Sequence, residues 1–561
     1  MTRLGAGDVA AAVVLFAASV TSLHLLWPNL LVPLDEGVFL YEAKRVADGQ
    51  VMYRDFFDLI GPLANYALAL MYLLFGASME TARGSMAVVH ALIVVLMYAI
   101  ARRLGVRPLL AVVVCLTHLA LFYPELSFAS PHWYATALTL FVFLYVLRGP
   151  VTRVRHAVAL GVLTGLVGLT QQPKGAATAA AVGIVLIRDV WTGRQATPPV
   201  GAAIRQLCAY GVGLLATVVA GLSGFVAAAG FEPVYDALVR TPLGPYRQMP
   251  FHSGGRWLPL VIDPVLLQRM LFQLFPMLVI SVMPCIMPLS AARLIAQAAR
   301  GVPAQERRPL FVAVVFSTLS IVSVLYQPNA FHFAIVGPIW LSLYAESLER
   351  LVQRIEGRLR TRLVGPLAVL AVLALLSLQF RRALTWEWAK AGAAGDTLFG
   401  RVHFPSDMQV DEIEAVRTVL QDAGAKRVFV YPYGAAVYLM TATSNPTRFQ
   451  LLIPGYNTAE QFAEVQRTLD RERVPFVVRS LWLWGGPDGD PLLPYLREHY
   501  QAVLLPRKQL GFSNLAVWRR KADGVWRKGD DGSARNGSVS PPTSALTGLR
   551  ARVCPFQPLL G

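Results

Sequence analysis

Carboxylates are concentrated in one short stretch of the sequence, directly after the first apolar segment. Asp35 and Glu36 open this stretch, and Asp55 and Asp58 follow after a short helical pattern, with Arg54 beside them. Carboxylates are costly next to a bilayer and therefore indicate a function. Such a group could act as the general base that deprotonates an acceptor hydroxyl. The structural alternative is that Asp35 only caps a helix and Glu36 only pairs with a neighbour.

The second group of carboxylates also has two interpretations. Asp55 could orient an acceptor or hold Arg54 in place, and Tyr53 directly precedes Arg54. Asp58 could equally tie the loop down through bonds to the backbone. We therefore place Tyr53, Arg54, Asp55 and Asp58 among the candidate acceptor- or donor-binding residues, and Asp35 and Glu36 as the candidate catalytic pair.

Three further polar residues are predicted at the outer ends of apolar helices. Lys174 lies in the sequence Gln-Gln-Pro-Lys between two short helices, where a cation could take up the charge of a leaving phosphate. His132 and His332 occupy equivalent positions and could bond to a phosphate or a sugar. A lysine reaching towards the lipid headgroups and two satisfied interfacial histidines are the structural alternatives.

A long outer loop, residues 231–265, adds basic and aromatic groups with several prolines and glycines. Arg247, His252 and Arg256 in this loop are candidate ligands for phosphate and isoprenoid. A loop of this length is often a functional lid. General attraction to lipid headgroups is the alternative. We see no nucleotide-binding, zinc or serine-nucleophile motif, and we expect no cofactor.

The composition predicts the class of protein that must position these residues. The chain has 561 residues, of which 55% are hydrophobic and 15% charged, whereas roughly a quarter are charged in a soluble protein. Several apolar segments approach the ~18–20 residues that a spanning helix needs. The net charge of +17 comes with arginines in short loops between apolar segments, which indicates topology rather than nucleic-acid binding. The fold class is therefore a polytopic α-helical membrane protein.

About eleven transmembrane helices are predicted on this basis. Arginine-rich loops alternate with loops that are richer in acidic, aromatic and histidine residues. The positive-inside rule then places the N-terminus in the cytoplasm and everything after about residue 381 outside. The predicted helices cover residues 9–27, 83–101, 109–123, 133–147, 157–170, 175–188, 207–230, 266–288, 309–325, 332–347 and 363–380.

The C-terminal third changes character and predicts a separate unit. Helical patterns at 411–423, 460–469 and 491–499 alternate with strand patterns at 427–430, 474–478 and 514–518, which is typical of a small α/β domain. We divide the chain into a transmembrane catalytic domain (1–380, with the first outer loop at 28–82), an extracytoplasmic α/β domain (381–522) and a disordered tail (523–561). The α/β domain carries no catalytic pattern.

The acidic loop resembles that of the GT-C glycosyltransferases, and more narrowly the branch with protein O-mannosyltransferases and the lipid A aminoarabinose transferase (glycosyltransferase families 39 and 83). The usual Lys-Pro-Pro of the aminoarabinose branch is replaced by residues 59–62. The matching residues are Asp35, Glu36, Gly37, Tyr41, Gly49, Tyr53, Arg54, Asp55, Asp58, Gly61, Pro62, Phe75, Gly76 and Arg83.

This resemblance implies a membrane enzyme that moves a hexose or pentose from a polyprenyl-phosphate donor to an acceptor hydroxyl outside the membrane. The acceptor would be a lipid, a glycan or a protein, the transfer would invert the anomeric configuration, and Asp35 would be the base. The resemblance also implies that no metal is obligatory. The expected location is a bacterial inner membrane. The alternative is a transporter or flippase of a polyprenyl-linked sugar or lipid, which predicts ionisable residues in mid-membrane and paired halves.

Overall fold

The computed structural model describes residues 5–31, 35–192, 200–244, 246, 279–280, 282–392, 394–404, 407–454, 456–480, 490–504 and 515–521. Several predictions lie outside these residues. They are the loop residues Arg247, His252 and Arg256, most of the helix predicted at 266–288, and the tail 523–561.

Apolar helices make up most of the described chain, as the sequence predicts. Five of them are long and apolar enough to cross a membrane, and the protein is a multi-pass helical membrane protein. These five are α1 (Ala6–Leu25), α4 (Met79–Arg103), α8 (Gln172–Thr192), α9 (Val200–Ala229) and α15 (Val364–Lys390). Shorter apolar helices are α3 (Leu63–Phe75), α5 (Pro108–Thr117, extended by a π-helical turn at His118–Phe122 and a 3-10 turn at Tyr123–Leu126), α6 (Pro131–Leu147) and α7 (Val154–Thr170). The remaining helices of this part are α2 (Asp35–Ala47), α10 (Phe231–Tyr235, followed by a π-helical turn at Asp236–Arg240), α11 (Thr241–Leu243), α12 (Ile286–Ala299, after a 3-10 turn at Met283–Cys285), α13 (Ala304–Val322) and α14 (Ala330–Leu359).

Ion pairs join the helix ends that carry the arginine-rich sequences. Arg308 Nη2 lies 2.7 Å from Asp189 Oδ2, and Arg107 Nε lies 2.9 Å from Glu349 Oε1. Arg308 is 3% exposed, so its charge is compensated inside the protein rather than by water. These arginines therefore hold helix ends together, and they also supply the positive-inside signal in the sequence.

The C-terminal part contains two sheets. Strands β1 (Ala394–Thr397) and β2 (Gly400–His403) form an antiparallel pair. The second sheet has the order β3-β4-β6-β5, in which only β3 and β4 run parallel. Its strands are β3 (Val428–Tyr431), β4 (Phe476–Ser480), β5 (Tyr500–Leu504) and β6 (Leu515–Arg520), and the helices of this part are α16 (Asp407–Asp422), α17 (Ala436–Thr441), α18 (Ala459–Arg471) and α19 (Leu493–His499).

Four short elements of this part were not predicted from the sequence: β1, β2, α17 and β5. β5 begins directly after His499, the last residue of α19, so no turn residue marks its start. β2 is held by long-range backbone bonds, since the His403 N–H donates to the Asn29 carbonyl and the Leu31 N–H donates to the His403 carbonyl. Such pairing leaves no local pattern in the sequence.

Helix α2 carries the first two carboxylates of the acidic stretch, Asp35 and Glu36. Asp35 and Glu36 lie in its first turn and Lys44 and Arg45 in its last turn, an arrangement that suits the helix dipole. The chain leaves the helix through Gly49, which has a φ of +88°. The short helical pattern that the sequence shows between the two groups of carboxylates is confirmed.

Candidate functional site

Asp35 lies at the first turn of α2 and is exposed. Its Oδ1 accepts a hydrogen bond from the hydroxyl of Tyr433, 2.5 Å away, which comes from the C-terminal part of the chain. No described residue bonds to Oδ2. The surrounding protein raises the pKa of this carboxyl, and the bond from Tyr433 opposes that rise. An ionised Asp35 is therefore a stronger base than an ordinary aspartate, with one oxygen held and one available.

Glu36, the next residue, has a different environment. It is fully buried, and its two oxygens lie 2.5 and 3.0 Å from the guanidinium nitrogens of Arg83. The Ala129 N–H donates to the same carboxylate at 2.9 Å. Arg83 also donates to the Leu30 carbonyl. Glu36 thus joins α2 to α4 and to the chain before α6, and this geometry favours a structural role over contact with a substrate.

Aromatic side chains continue from Asp35 towards the membrane helices. Tyr246 and Tyr456 pack edge to face with ring centroids 5.5 Å apart. Both interact electrostatically with Asp35, while burial is the main cause that raises their pKa values, to about 12 for Tyr246. Tyr326 follows as an electrostatic neighbour of Tyr246, and its ring centroid lies 5.4 Å from that of His332.

Three predicted residues, His132, His332 and Lys174, meet at the far end of this aromatic series. The rings of His132 and His332 lie 5.6 Å apart and perpendicular. Lys174 Nζ donates to the His132 carbonyl at 2.9 Å and to Thr136 Oγ1 at 3.2 Å. Lys174 is only 4% exposed, and no carboxylate of the described residues contacts its ammonium group. A buried cation bonded only to neutral acceptors is suited to bind an anion.

Close backbone contacts fix the position of Lys174. A Cβ on Gly175 would lie 2.3 Å from the Gly168 Cα, so α7 and α8 touch at these two glycines. The acidic loop is tied to the same hairpin, since a Cβ on Gly61 would lie 2.1 Å from the Leu169 carbonyl oxygen. The hairpin of α7 and α8 therefore carries the cation and anchors the loop that carries the carboxylates.

A second pair of carboxylates, Glu42 and Asp58, is joined by Asn65. Asn65 Nδ2 donates to Glu42 Oε2 at 2.8 Å and to Asp58 Oδ2 at 3.4 Å. Gln450 Nε2 donates to Glu42 Oε1 at 3.0 Å. Burial, with the charge of Asp58, raises the pKa of Glu42 well above its ordinary value, and burial also raises that of Asp58. The two carboxyls thus retain a proton between them at a pH where isolated carboxylates are ionised.

Tyr53, Arg54 and Asp55 lie at the other end of α2. Tyr53 is 2% exposed and its hydroxyl donates to the Ile60 carbonyl at 2.7 Å. Arg54 makes a bidentate ion pair with Asp55, at 2.9 and 2.7 Å, which lowers the pKa of Asp55. Arg54 and Asp55 line a cleft of about 450 Å³ that does not include Asp35. None of the described contacts of these three residues is with Asp35.

Metal ligands and cofactor motifs were not predicted. Among the described residues, no group of three or more histidine, cysteine, aspartate or glutamate side chains could hold a metal ion. The partner of Asp35 that the sequence analysis did not single out is Tyr433. It follows strand β3 in a segment without a catalytic motif, and only the tertiary fold brings it to Asp35.

Comparisons with known proteins support the fold. No family model and no curated protein matches the sequence. The crystal structure of ArnT from Cupriavidus metallidurans bound to undecaprenyl phosphate matches with a TM-score of 0.51 and 16% identity, over 92% of this chain and 98% of ArnT. The protein is an integral membrane protein with the GT-C fold. It shares this fold with ArnT over nearly the whole of both chains.

Two further solved structures match less well. The S. cerevisiae protein O-mannosyltransferase Pmt1-Pmt2 complex bound to the sugar donor has a TM-score of 0.35 and 19% identity, over 41% of this chain and 35% of that one. The arabinofuranosyltransferase AftD from Mycobacteria has a TM-score of 0.45 and 14% identity, over 93% of this chain and 40% of that one. The matched part thus spans well under half of the length of each of these two chains.

Proposed function

We propose that the protein is a membrane glycosyltransferase that moves a sugar from a polyprenyl-phosphate donor to an acceptor hydroxyl on the extracytoplasmic side. The observation that carries this proposal is that one series of aromatic side chains runs from an exposed carboxylate, Asp35, to a buried lysine, Lys174, which no described carboxylate contacts. A carboxylate suits the deprotonation of the acceptor, and a cation suits the leaving phosphate.

The reaction follows from these two groups. Asp35 Oδ2 takes the proton of the acceptor hydroxyl while its oxygen bonds to the anomeric carbon. The bond from that carbon to the phosphate oxygen breaks, and the polyprenyl phosphate leaves with one more negative charge. Lys174 stabilises that charge, with His132 and His332 beside it. A single displacement inverts the configuration at the anomeric carbon.

The donor would approach from the membrane. ArnT was solved with undecaprenyl phosphate, and we propose a phosphate of the same chemical kind for this chain. Arg247, His252 and Arg256 would add to its binding from the outer loop. The C-terminal domain would lie outside, with the arginine-paired helix ends in the cytoplasm of a bacterial inner membrane, as the positive-inside rule predicts.

The test compares envelope glycans and lipids, measured by mass spectrometry, in cells with the gene, without it, and with Asp35→Asn. We expect one glycosylated product to be lost on deletion and to fall about 10²–10⁴-fold in Asp35→Asn. Asp48→Asn is the matched control, since Asp48 is an exposed carboxylate of the same loop that pairs with Lys44 at 2.5 Å. An unchanged profile after deletion would contradict the proposal.

One observation favours the transporter alternative. His90 and His118 are fully buried between α4 and the π-helical turn, with His90 Nδ1 and His118 Nε2 3.2 Å apart. Ionisable residues inside a membrane protein are a mark of transport pathways. A product that persists in Asp35→Asn but is lost in His90→Phe would favour transport over transfer.

A further inference from the structure

The C-terminal part of the chain covers one face of α2, the helix that carries the proposed base. The Tyr41 ring stacks on that of Tyr438, with centroids 4.5 Å apart, and the Tyr41 hydroxyl accepts the Asn445 N–H at 2.9 Å. One turn further, Arg45 donates to the Thr447 carbonyl. These contacts fix α2 against the C-terminal part along most of its length.

The approach is tightest at the start of α2. A Cβ on Gly37 would lie 2.9 Å from the Ala436 Cβ and 3.0 Å from its amide nitrogen. Only a residue without a side chain lets the two segments come this close. This contact sets Tyr433, three residues before Ala436, within hydrogen-bond distance of Asp35.

The segment that presents Tyr433 is itself held from both sides. Strand β3 ends at Tyr431, and the Leu452 N–H donates to the Pro432 carbonyl at 2.9 Å. Tyr433 also forms an isolated antiparallel bridge with Leu451. The phenol is thus placed by the sheet of the C-terminal part and not by the membrane helices.

We propose that the C-terminal domain completes the catalytic site by supplying Tyr433 as a positioning residue for Asp35. The phenol occupies Oδ1, which fixes the carboxylate plane and leaves Oδ2 for the acceptor hydroxyl. This proposal rests on the proposed function, because it assigns a role to Asp35 as the base.

The hydrogen bond from Tyr433 also affects the pH at which Asp35 ionises. The titratable groups that the described residues place near Asp35 are Tyr433, Tyr246 and Tyr456, all phenols, while the neighbouring Glu36 is engaged by Arg83. Of these groups, Tyr433 is the one that donates to the carboxylate. A donor to the charged form lowers the pKa of a carboxyl, so the loss of this hydroxyl raises the pKa of Asp35.

The test is a titration of Asp35 by infrared difference spectroscopy on the full-length protein in detergent. The carboxyl band that disappears in Asp35→Asn reports this group alone. In Tyr433→Phe we expect the midpoint to move up by about 1–2 pH units. Tyr431→Phe is the matched control: this tyrosine lies two residues away, and its hydroxyl donates to Asp490 instead. Its midpoint should stay at the wild-type value.

A second variant keeps every hydroxyl. Gly37→Ala forces Ala436 away from α2 and should raise the midpoint in the same direction, so it decides the question if Tyr433→Phe does not fold. If Tyr433→Phe folds and the titration midpoint of Asp35 is unchanged, the positioning role is overturned. If Tyr433→Phe does not fold, an unchanged midpoint in Gly37→Ala overturns it. The titration needs no sugar donor. An envelope profile unaffected by gene deletion would therefore overturn the transferase proposal while the coupling of Tyr433 to Asp35 remained measurable.

Discussion

Two buried cations of this protein should respond to the same substitution, replacement by methionine, with different changes in stability. Arg83 is 8% exposed and is paired with Glu36, which is fully buried. Lys174 is 4% exposed and bonds only to the His132 carbonyl and the Thr136 hydroxyl among the described residues. We predict that Arg83→Met strongly destabilises the protein, whereas Lys174→Met does not.

The magnitudes follow from what each substitution leaves behind. Arg83→Met leaves the Glu36 carboxylate buried without its partner, which costs about 3–5 kcal/mol. Lys174→Met removes an ammonium whose desolvation costs several kcal/mol and sacrifices two hydrogen bonds to neutral groups, so we expect the stability to stay level or to rise by about 1–2 kcal/mol. The two variants should thus differ by at least about 3 kcal/mol.

The assay is thermal unfolding in detergent, with and without undecaprenyl phosphate. A ligand at a hundredfold excess over its Kd stabilises the native state by about 2.7 kcal/mol. Wild type should show this gain, and Lys174→Met should lose it although its own stability is intact. If Lys174→Met melted as early as Arg83→Met, Lys174 would be compensated within the protein. If it kept the gain with ligand, the phosphate would bind elsewhere.

Two further predictions concern the surroundings of the site. Gly175→Ala should push the first turn of α8 away from Gly168, which lowers stability by about 1–3 kcal/mol and abolishes the stabilisation by undecaprenyl phosphate. Gly183 on the same helix has open space where its Cβ would lie, so Gly183→Ala should change neither the stability nor the response to undecaprenyl phosphate. Folding raises the pKa of Glu42 above 4.5, the ordinary value for this carboxyl, so the wild type loses stability as the pH rises from 4.5 towards the raised pKa. Glu42→Gln cannot ionise, and its stability relative to wild type should therefore increase over this pH range. Melting temperatures across a pH series measure this difference, and a difference independent of pH would show that Glu42 does not titrate as described.

The sequence determined much of this protein because its strongest signals are local. Apolar length and arginine-rich loops define a multi-pass helical protein, and the dipole-matched ends and the glycine stop of α2 define that helix. The stretch from Asp35 to Arg83 carried the resemblance to GT-C proteins, and the match to ArnT supports that fold.

Only the tertiary structure decided which residues meet. Asp35 and Glu36 are neighbours in sequence, yet one is exposed beside Tyr433 and the other is buried against Arg83. Residue type does not separate these roles, since burial and partners come from segments tens to hundreds of positions away. The meeting of Lys174 with His132 likewise depends on helix packing. Local pattern fixes which helices form, whereas long-range contacts fix which carboxylate is buried and which stays exposed.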